Sequence, residues 1–209
     1  MKTKIGILGM IAAMGIFMAS CSQSGQKQTT ESTGENREVK IDNIVLNPDE
    51  SRVIWKGEML GIYSHEGILK LTQTKLQIED GQISGGSFIA DLSTIVPTDE
   101  NFNPEEGRSR EKLVGHLSSA DFFDIENHPT AKFEITDFAN STATGLLTIR
   151  GITSEEKVNN IKISKEGDIV KITGDLVFDR KKYGVSWDSP LQDRVLSNDI
   201  ELKVELIGS

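Results

Sequence analysis

The sequence predicts an all-β domain, a closed antiparallel β-barrel of about eight strands, and three observations carry that prediction. From Ser51 onward apolar and polar residues alternate with period two, the pattern of strands with one buried face. The alternating runs are separated by short turn signals such as Asp80-Gly81 and Glu166-Gly167-Asp168, which suit neighbouring antiparallel strands of a barrel or a sandwich. Each run has a single continuous apolar face. Closing such a sheet on itself removes its exposed edges, which favours the barrel.

In chain order, the N-terminus stands apart from this domain. Lys2 and Lys4 precede an uncharged apolar run from Ile5 to Met18, short for a bilayer span and suited to the core of a signal peptide. The run ends in Met18-Ala19-Ser20-Cys21, two small residues before the one cysteine of the chain, the form of a bacterial lipobox. Residues 1–20 are expected to be a lipoprotein signal peptide and Cys21 the acylated new N-terminus. The alternative is a secretory signal cut near the same point, with Cys21 a bystander. A lone cysteine in an exported protein has no disulfide partner, which favours lipidation, and two or three acyl chains make attachment stable where one is marginal.

Residues 21–40, rich in Ser, Gln, Thr, Gly and Glu, are expected to be the lipidated cysteine followed by a disordered tether. Such a tether holds the domain roughly 25 Å from the membrane. Residues 41–209 remain, enough for one domain with a sizeable core. The formal charge is −9, and loss of Lys2 and Lys4 with the signal peptide makes it more negative still. Nucleic acid is therefore excluded as a partner, and the acyl anchor is left to do the membrane attachment.

The strands follow from the alternation. Val53 and Trp55 face one way, then His65, Gly67, Leu69 and Leu71, then Leu76 and Ile78. After Asp80-Gly81 come Phe88, Ala90 and Leu92. The regularity breaks after Pro97, where one helical excursion is expected over about residues 105–124. From Gly115 to Phe133 neither period holds, yet Leu117, Phe122, Phe123 and Ile125 concentrate apolar mass ahead of His128-Pro129. This stretch is expected to plug the mouth or edge of the barrel, unless it is an ordinary helix-to-strand connection. Alternation returns with Ala131, Phe133 and Ile135, then Leu147 and Ile149 before an Arg150-Gly151 turn. Ile152 to Ile163 is either a strand pair or one strand bulged near Asn159-Asn160. Val170, Ile172, Gly174, Leu176 and Phe178 form the next inward set, and Ile200, Leu202, Val204 and Leu206 the last.

Four stretches in order carry a family resemblance: DFFD at 121–124 with its following proline and aromatic strand, SHEGILKL at 64–71, GLLTIRGIT at 145–153 and FDRKKYGV at 178–185. With them the chain resembles, over about residues 50–207, the YceI-like family of bacterial polyisoprenoid-binding, lipocalin-like periplasmic proteins. It departs from the family pattern at Val114-Gly115, which precede His116-Leu117 where an Arg-Asp pair is frequent. The resemblance implies an extended lipocalin-like barrel that binds long isoprenoids, quinone tails included, in its interior.

The functional expectation is accordingly a membrane-tethered carrier or store for a quinone-like or polyprenyl chain. The alternative is a structural or stress-related periplasmic lipoprotein with a filled barrel and a protein partner. Gly67, Ala90, Gly145 and Gly174 are small inward residues that either open a channel or mark where the closed sheet coils. The candidate ligand-binding wall is Trp55, His65, Gly67, Leu69, Phe88, Ala90, Leu92, Phe122, Phe123, Phe133, Leu147, Ile172, Gly174, Leu176, Phe178, Leu202 and Val204. For a head group, Arg180 and Tyr183, with Lys181, Lys182 and Trp187 nearby, are the candidates; otherwise Arg180 pairs with Asp179 or Asp188.

No enzyme is expected. The chain has no GxSxG elbow, phosphate-binding glycine loop, dinucleotide fingerprint or metal-ligand spacing of His and Cys. If acid–base chemistry exists, His65 and His116 with Asp121 are its candidates. No metal and no covalent cofactor beyond the acyl anchor is expected, and the bound species is an isoprenoid lipid or quinone. The partners are that lipid and, through Cys21, the membrane; a homodimer is left open. Ser22 rather than aspartate after the acylated cysteine points to the outer membrane, facing the periplasm, in bacteria that use that sorting rule.

Overall fold

A computed structural model describes residues 44–190 and 194–209, so the signal peptide, Cys21 and the tether lie outside the described residues. The alternating runs form eight strands: β1 (Leu46–Met59), β2 (Tyr63–Glu79), β3 (Gln82–Pro97), β4 (Thr130–Ala139), β5 (Thr142–Ile149), β6 (Ile152–Glu166), β7 (Ile169–Asp179) and β8 (Leu196–Gly208). Each pairs antiparallel with its sequence neighbour, and β8 returns to β1, so the barrel closes in simple up-and-down order. The predicted barrel is the one observed. Ile152 to Ile163 lies within one strand, with a register shift between Asn159 and Lys162 and a φ of 55° at Asn160 that marks the bulge.

The turns explain why the strands return on themselves. Asp80-Gly81, Asn140-Ser141 and Arg150-Gly151 each connect two strands with both residues at positive φ, the type I′ geometry whose twist matches that of the strands. These three hairpins differ in kind from the β3–β4 connection, which spans residues 98–129. It holds a 3₁₀ turn, Pro104–Glu106, and the helix α1, Arg110–Ser118, shorter than the excursion predicted over 105–124. Two local features shorten it. Gly107 terminates the 3₁₀ turn at φ 74°, and the Ser109 hydroxyl restarts the chain as a helix cap by accepting from the Lys112 amide at 3.3 Å.

Beyond α1 the chain makes tight backbone bonds of its own, including Asp124 N–H to Ser119 O at 2.8 Å and Ile125 N–H to Ser118 O at 3.1 Å. They turn Leu117 and Phe122 inward, and both are buried against the barrel core. The plug is held from outside by Arg150. Its Nη1 donates to the Phe122 and Gly184 carbonyls at 2.8 Å each, and its Nη2 to the Ala120 carbonyl at 3.2 Å. One side chain in a hairpin turn thus joins the plug to the loop after β7.

Candidate functional site

Within the barrel lies a cavity of about 710 Å³, in the range of pockets that enclose most of a small ligand. Period-two alternation places its wall. Trp55, His65, Leu69, Phe88, Ala90, Leu92, Phe133, Leu147, Ile172, Gly174, Leu176, Phe178, Leu202 and Val204 line it from the strands, and Phe122 and Phe123 line it from the plug. One predicted wall residue, Gly67, and the two head-group candidates, Arg180 and Tyr183, do not line it.

Gly67 is a correction, because its lack of a side chain makes room for a neighbour and not for a ligand. Trp55 is its register partner on β1, and a β-carbon at Gly67 would meet the Val96 carbonyl oxygen of the neighbouring strand and then Trp55 Cζ2 at 2.6 Å. Gly145 is covered in the same way, with a β-carbon there falling 2.6 Å from Phe133 Cζ. At Gly174, a β-carbon would meet Val158 Cγ1 at 2.6 Å and Ile161 Cγ1 at 3.1 Å, although this residue does face the cavity. The glycines therefore let large side chains lie flat on the sheet, and the cavity remains inside that layer. Ala90 borders the cavity and is buried.

For Arg180 the structure takes the second of the two readings, the ion pair with Asp188, and for Tyr183 the head-group reading is corrected. Arg180 has no exposed surface. Its Nε donates to Ser197 O at 3.0 Å, its Nη1 to Val185 O at 2.8 Å and Trp187 O at 2.6 Å, and its Nη2 to Asp188 Oδ1 at 3.0 Å. The ion pair is the one with Asp188, whose carboxyl pKa is held below the usual range by Arg180 and then Lys181. Each nitrogen of this guanidinium is bonded to the chain between β7 and the start of β8. Tyr183, also fully buried, donates its hydroxyl to Glu156 Oε1 at 3.2 Å, and burial, then the Glu156 charge, pushes its pKa well up. Lys182 reaches the same Glu156 oxygen at 3.3 Å, and Lys181 lies 3.2 Å from Asp188. Of the predicted head-group cluster, Trp187 is the residue that borders the cavity.

The rim at the helical end is aromatic and basic: Tyr63, Phe102, Arg108 and Lys112 line the cavity there. His65 stacks on Phe102 with ring centroids 4.8 Å apart and shares a hydrogen bond with Asp99 at 3.0 Å through Nδ1. Burial works to raise the Asp99 pKa but is outweighed by the Asn101 and Glu66 amides and by His65, so the carboxyl sits below its ordinary value. Arg110 completes the bracket by donating to the Pro97 and Asp99 carbonyls at 2.6 and 2.9 Å while covering Phe102 at 4.8 Å. Leu60, Ile62 and Val195 stand exposed in the adjoining connections, where Leu60 N–H bonds Val195 O at 2.8 Å.

The three acid–base candidates are not brought together as a catalytic set. His65 is engaged with Asp99, Asp121 is exposed, and no hydrogen bond joins Asp121 to His116 among the described residues. His116 instead points into the cavity wall, edge-on to Trp187 at 4.6 Å and to Phe122 at 5.3 Å. Burial lowers its pKa and the Asp121 charge offsets this only in part, so the ring is neutral at pH 7. Its Nε2 and Trp55 Nε1 are the two buried side-chain nitrogens that lack a hydrogen-bond partner among the described residues. Sequence reasoning missed Met59, Tyr63, Phe102, Leu113 and Ile200 as lining residues. Ile200 was legible as an inward strand position, whereas Tyr63 and Phe102 sit at a strand end and in a loop, where no period applies.

A closed eight-stranded up-and-down barrel around an apolar cavity, capped by an aromatic plug, defines a lipocalin-like protein. The chain belongs to the YceI-like family, whose domain profile matches residues 45–207. A UPF0312 protein of Staphylococcus aureus strain USA300 is 32% identical over 119 residues, a match covering 54% of this chain and 66% of that relative, just short of two thirds of its length. Among solved structures, the chain is similar to Burkholderia cenocepacia BcnA at 16% identity and a TM-score of 0.62, covering 79% of this chain and 100% of that one. It is also similar to a polyisoprenoid binding domain from Saccharophagus degradans implicated in plant cell wall breakdown, at 10% identity and a TM-score of 0.52, covering 79% and 97%. At these identities the likeness is one of fold.

Proposed function

We propose that the protein is a lipid-binding carrier or store that encloses an isoprenoid chain, quinone-like or polyprenyl, in its barrel, and that it is not an enzyme. The observation that carries this reading is the apolar cavity of about 710 Å³, large enough in volume for a ligand and poor in groups that would recognise a sugar or nucleotide. At about 0.8 kcal/mol for each CH₂ taken from water, a chain with ten such groups gains roughly 8 kcal/mol on transfer. Membership of the YceI-like family supports the reading, as does the polyisoprenoid-binding description of a structural relative.

Acylation of Cys21 fixes the protein to the bacterial envelope, at the outer membrane facing the periplasm, and residues 22–40 tether it. Exposed Leu60, Ile62 and Val195 beside the rim give a leaving lipid an apolar path between bilayer and cavity. The test is organic extraction of the purified protein followed by mass spectrometry. A stoichiometric isoprenoid is expected; a clean extract, repeated after quinones and prenols of several lengths are offered, overturns the reading and points to a protein partner.

A further inference from the structure

We propose that the cavity has a polar station beneath the plug, in which His116 Nε2 and Trp55 Nε1 donate hydrogen bonds to an uncharged acceptor oxygen of the bound lipid. The inference rests on the carrier reading and specifies which end of the lipid lies where. Both nitrogens are buried, both side chains line the cavity, and neither nitrogen has a partner among the described residues. Buried N–H groups are rarely left this way, because each forfeits its bonds to water without replacement. The contrast with the other polar groups of this end is sharp: His65 is bonded to Asp99, and Arg180 makes four hydrogen bonds.

The chemistry narrows the ligand. An indole nitrogen only donates, so the group that satisfies Trp55 must accept. A neutral imidazole carries its proton on either nitrogen, and an acceptor oxygen selects the form protonated on Nε2. Both side chains belong to the helical end of the barrel. Trp55 pairs with Gly67, which pairs with Pro97 at the end of β3, and α1 follows from that end. The cations that border the cavity are Arg108, bonded to Glu106 at 2.6 Å, Lys132, paired with Glu134 at 2.8 Å, and Lys112, an exposed residue at the helical rim. An anionic head group would seek those rim cations. A carbonyl or hydroxyl head suits the buried donors, with its hydrocarbon tail running down the barrel past Ala90 and Gly174.

Trp55 and Trp187 are the only two tryptophans and both line the cavity, so intrinsic fluorescence of the purified protein reports its filling. The probes are a twenty-carbon prenol, the matching prenal, the hydrocarbon of the same chain and the prenyl monophosphate. Affinities are compared between wild type and His116→Phe for each probe, so that solubility differences cancel. The expected result is a loss of about tenfold for the prenal and prenol, with the hydrocarbon unchanged. In the unsubstituted protein, addition of the prenal should move the His116 ¹⁵N resonances to the form protonated on Nε2 and shift the Trp55 indole N–H downfield. This readout does not depend on a variant folding. Equal effects on all four probes, or unmoved His116 and Trp55 resonances when the prenal is bound, overturn the polar station while leaving the carrier reading intact. A monophosphate preference abolished by Lys112→Ala and untouched by His116→Phe overturns it in favour of the rim. Failure of every probe to bind overturns the carrier reading itself.

Discussion

The Arg180 guanidinium and the His116 Nε2 lie at the same end of the barrel, both withdrawn from water, and differ in what surrounds them. Arg180 donates to three backbone carbonyls and a carboxylate, whereas His116 presents a buried nitrogen with no partner among the described residues. The difference separates architecture from a binding surface. A buried cation whose three nitrogens are each bonded within the fold is part of the architecture, however suggestive its charge looks in the sequence. A buried donor that faces a cavity is available to whatever enters.

The comparison can be broken or sharpened by substitution. Arg180→Met leaves three carbonyls without donors and releases the loop between β7 and β8, so a loss of roughly 3–5 kcal/mol is expected in urea unfolding. An unchanged midpoint would mean that this clasp is dispensable. Gly67→Ala drives a β-carbon to within 2.6 Å of Trp55 Cζ2 and should cost about 1–3 kcal/mol while binding stoichiometry is retained. Tyr183→Phe removes one bond to Glu156, which keeps Lys182, and should cost about 1 kcal/mol in the same assay.

The smallest effect is in pH. The His116 pKa is lowered on folding, chiefly by burial, so the unfolded chain takes up a proton near pH 6.5 that the folded chain resists. Stability should therefore fall as pH drops below 6.5, and His116→Phe should remove that step. Further down, Glu205 is held below its ordinary 4.5: burial opposes this but is outweighed by Arg52, Lys171 and Lys203. Asp99 is likewise held below 3.8. Their contribution is complete above those values and is lost as pH falls through the lower folded ones. Thermal unfolding across pH 3–7 would check both steps; a profile flat between 6.5 and 5 would contradict a half-buried His116 whose pKa is lowered on folding.

Strand positions were legible because alternation is a local property: Leu69, Phe88, Leu147, Ile172 and Leu202 face inward for the same reason in sequence and structure. The plug was legible too, since two adjacent phenylalanines have few uses in a solvated loop. Gly67 was not, because a missing side chain shows that space is needed without showing that the Trp55 ring fills it. For Arg180 the sequence offered the pair with Asp188 that the structure forms, but not the rest of its partners. Its partners are mainly backbone carbonyls of residues 185, 187 and 197, and carbonyls leave no trace in residue identity. The bracket of His65, Asp99 and Arg110 joins residues distant in sequence across a loop, beyond the reach of any periodic pattern.

The most direct test of an occupied barrel is native mass spectrometry of the intact protein after exposure to a bacterial lipid extract. The wild type should carry one isoprenoid per chain, and Ala90→Phe, which fills the cavity from its wall, should remain folded and carry none. A bare wild-type mass, or equal loading of the Ala90→Phe protein, would contradict a lipid held in this cavity.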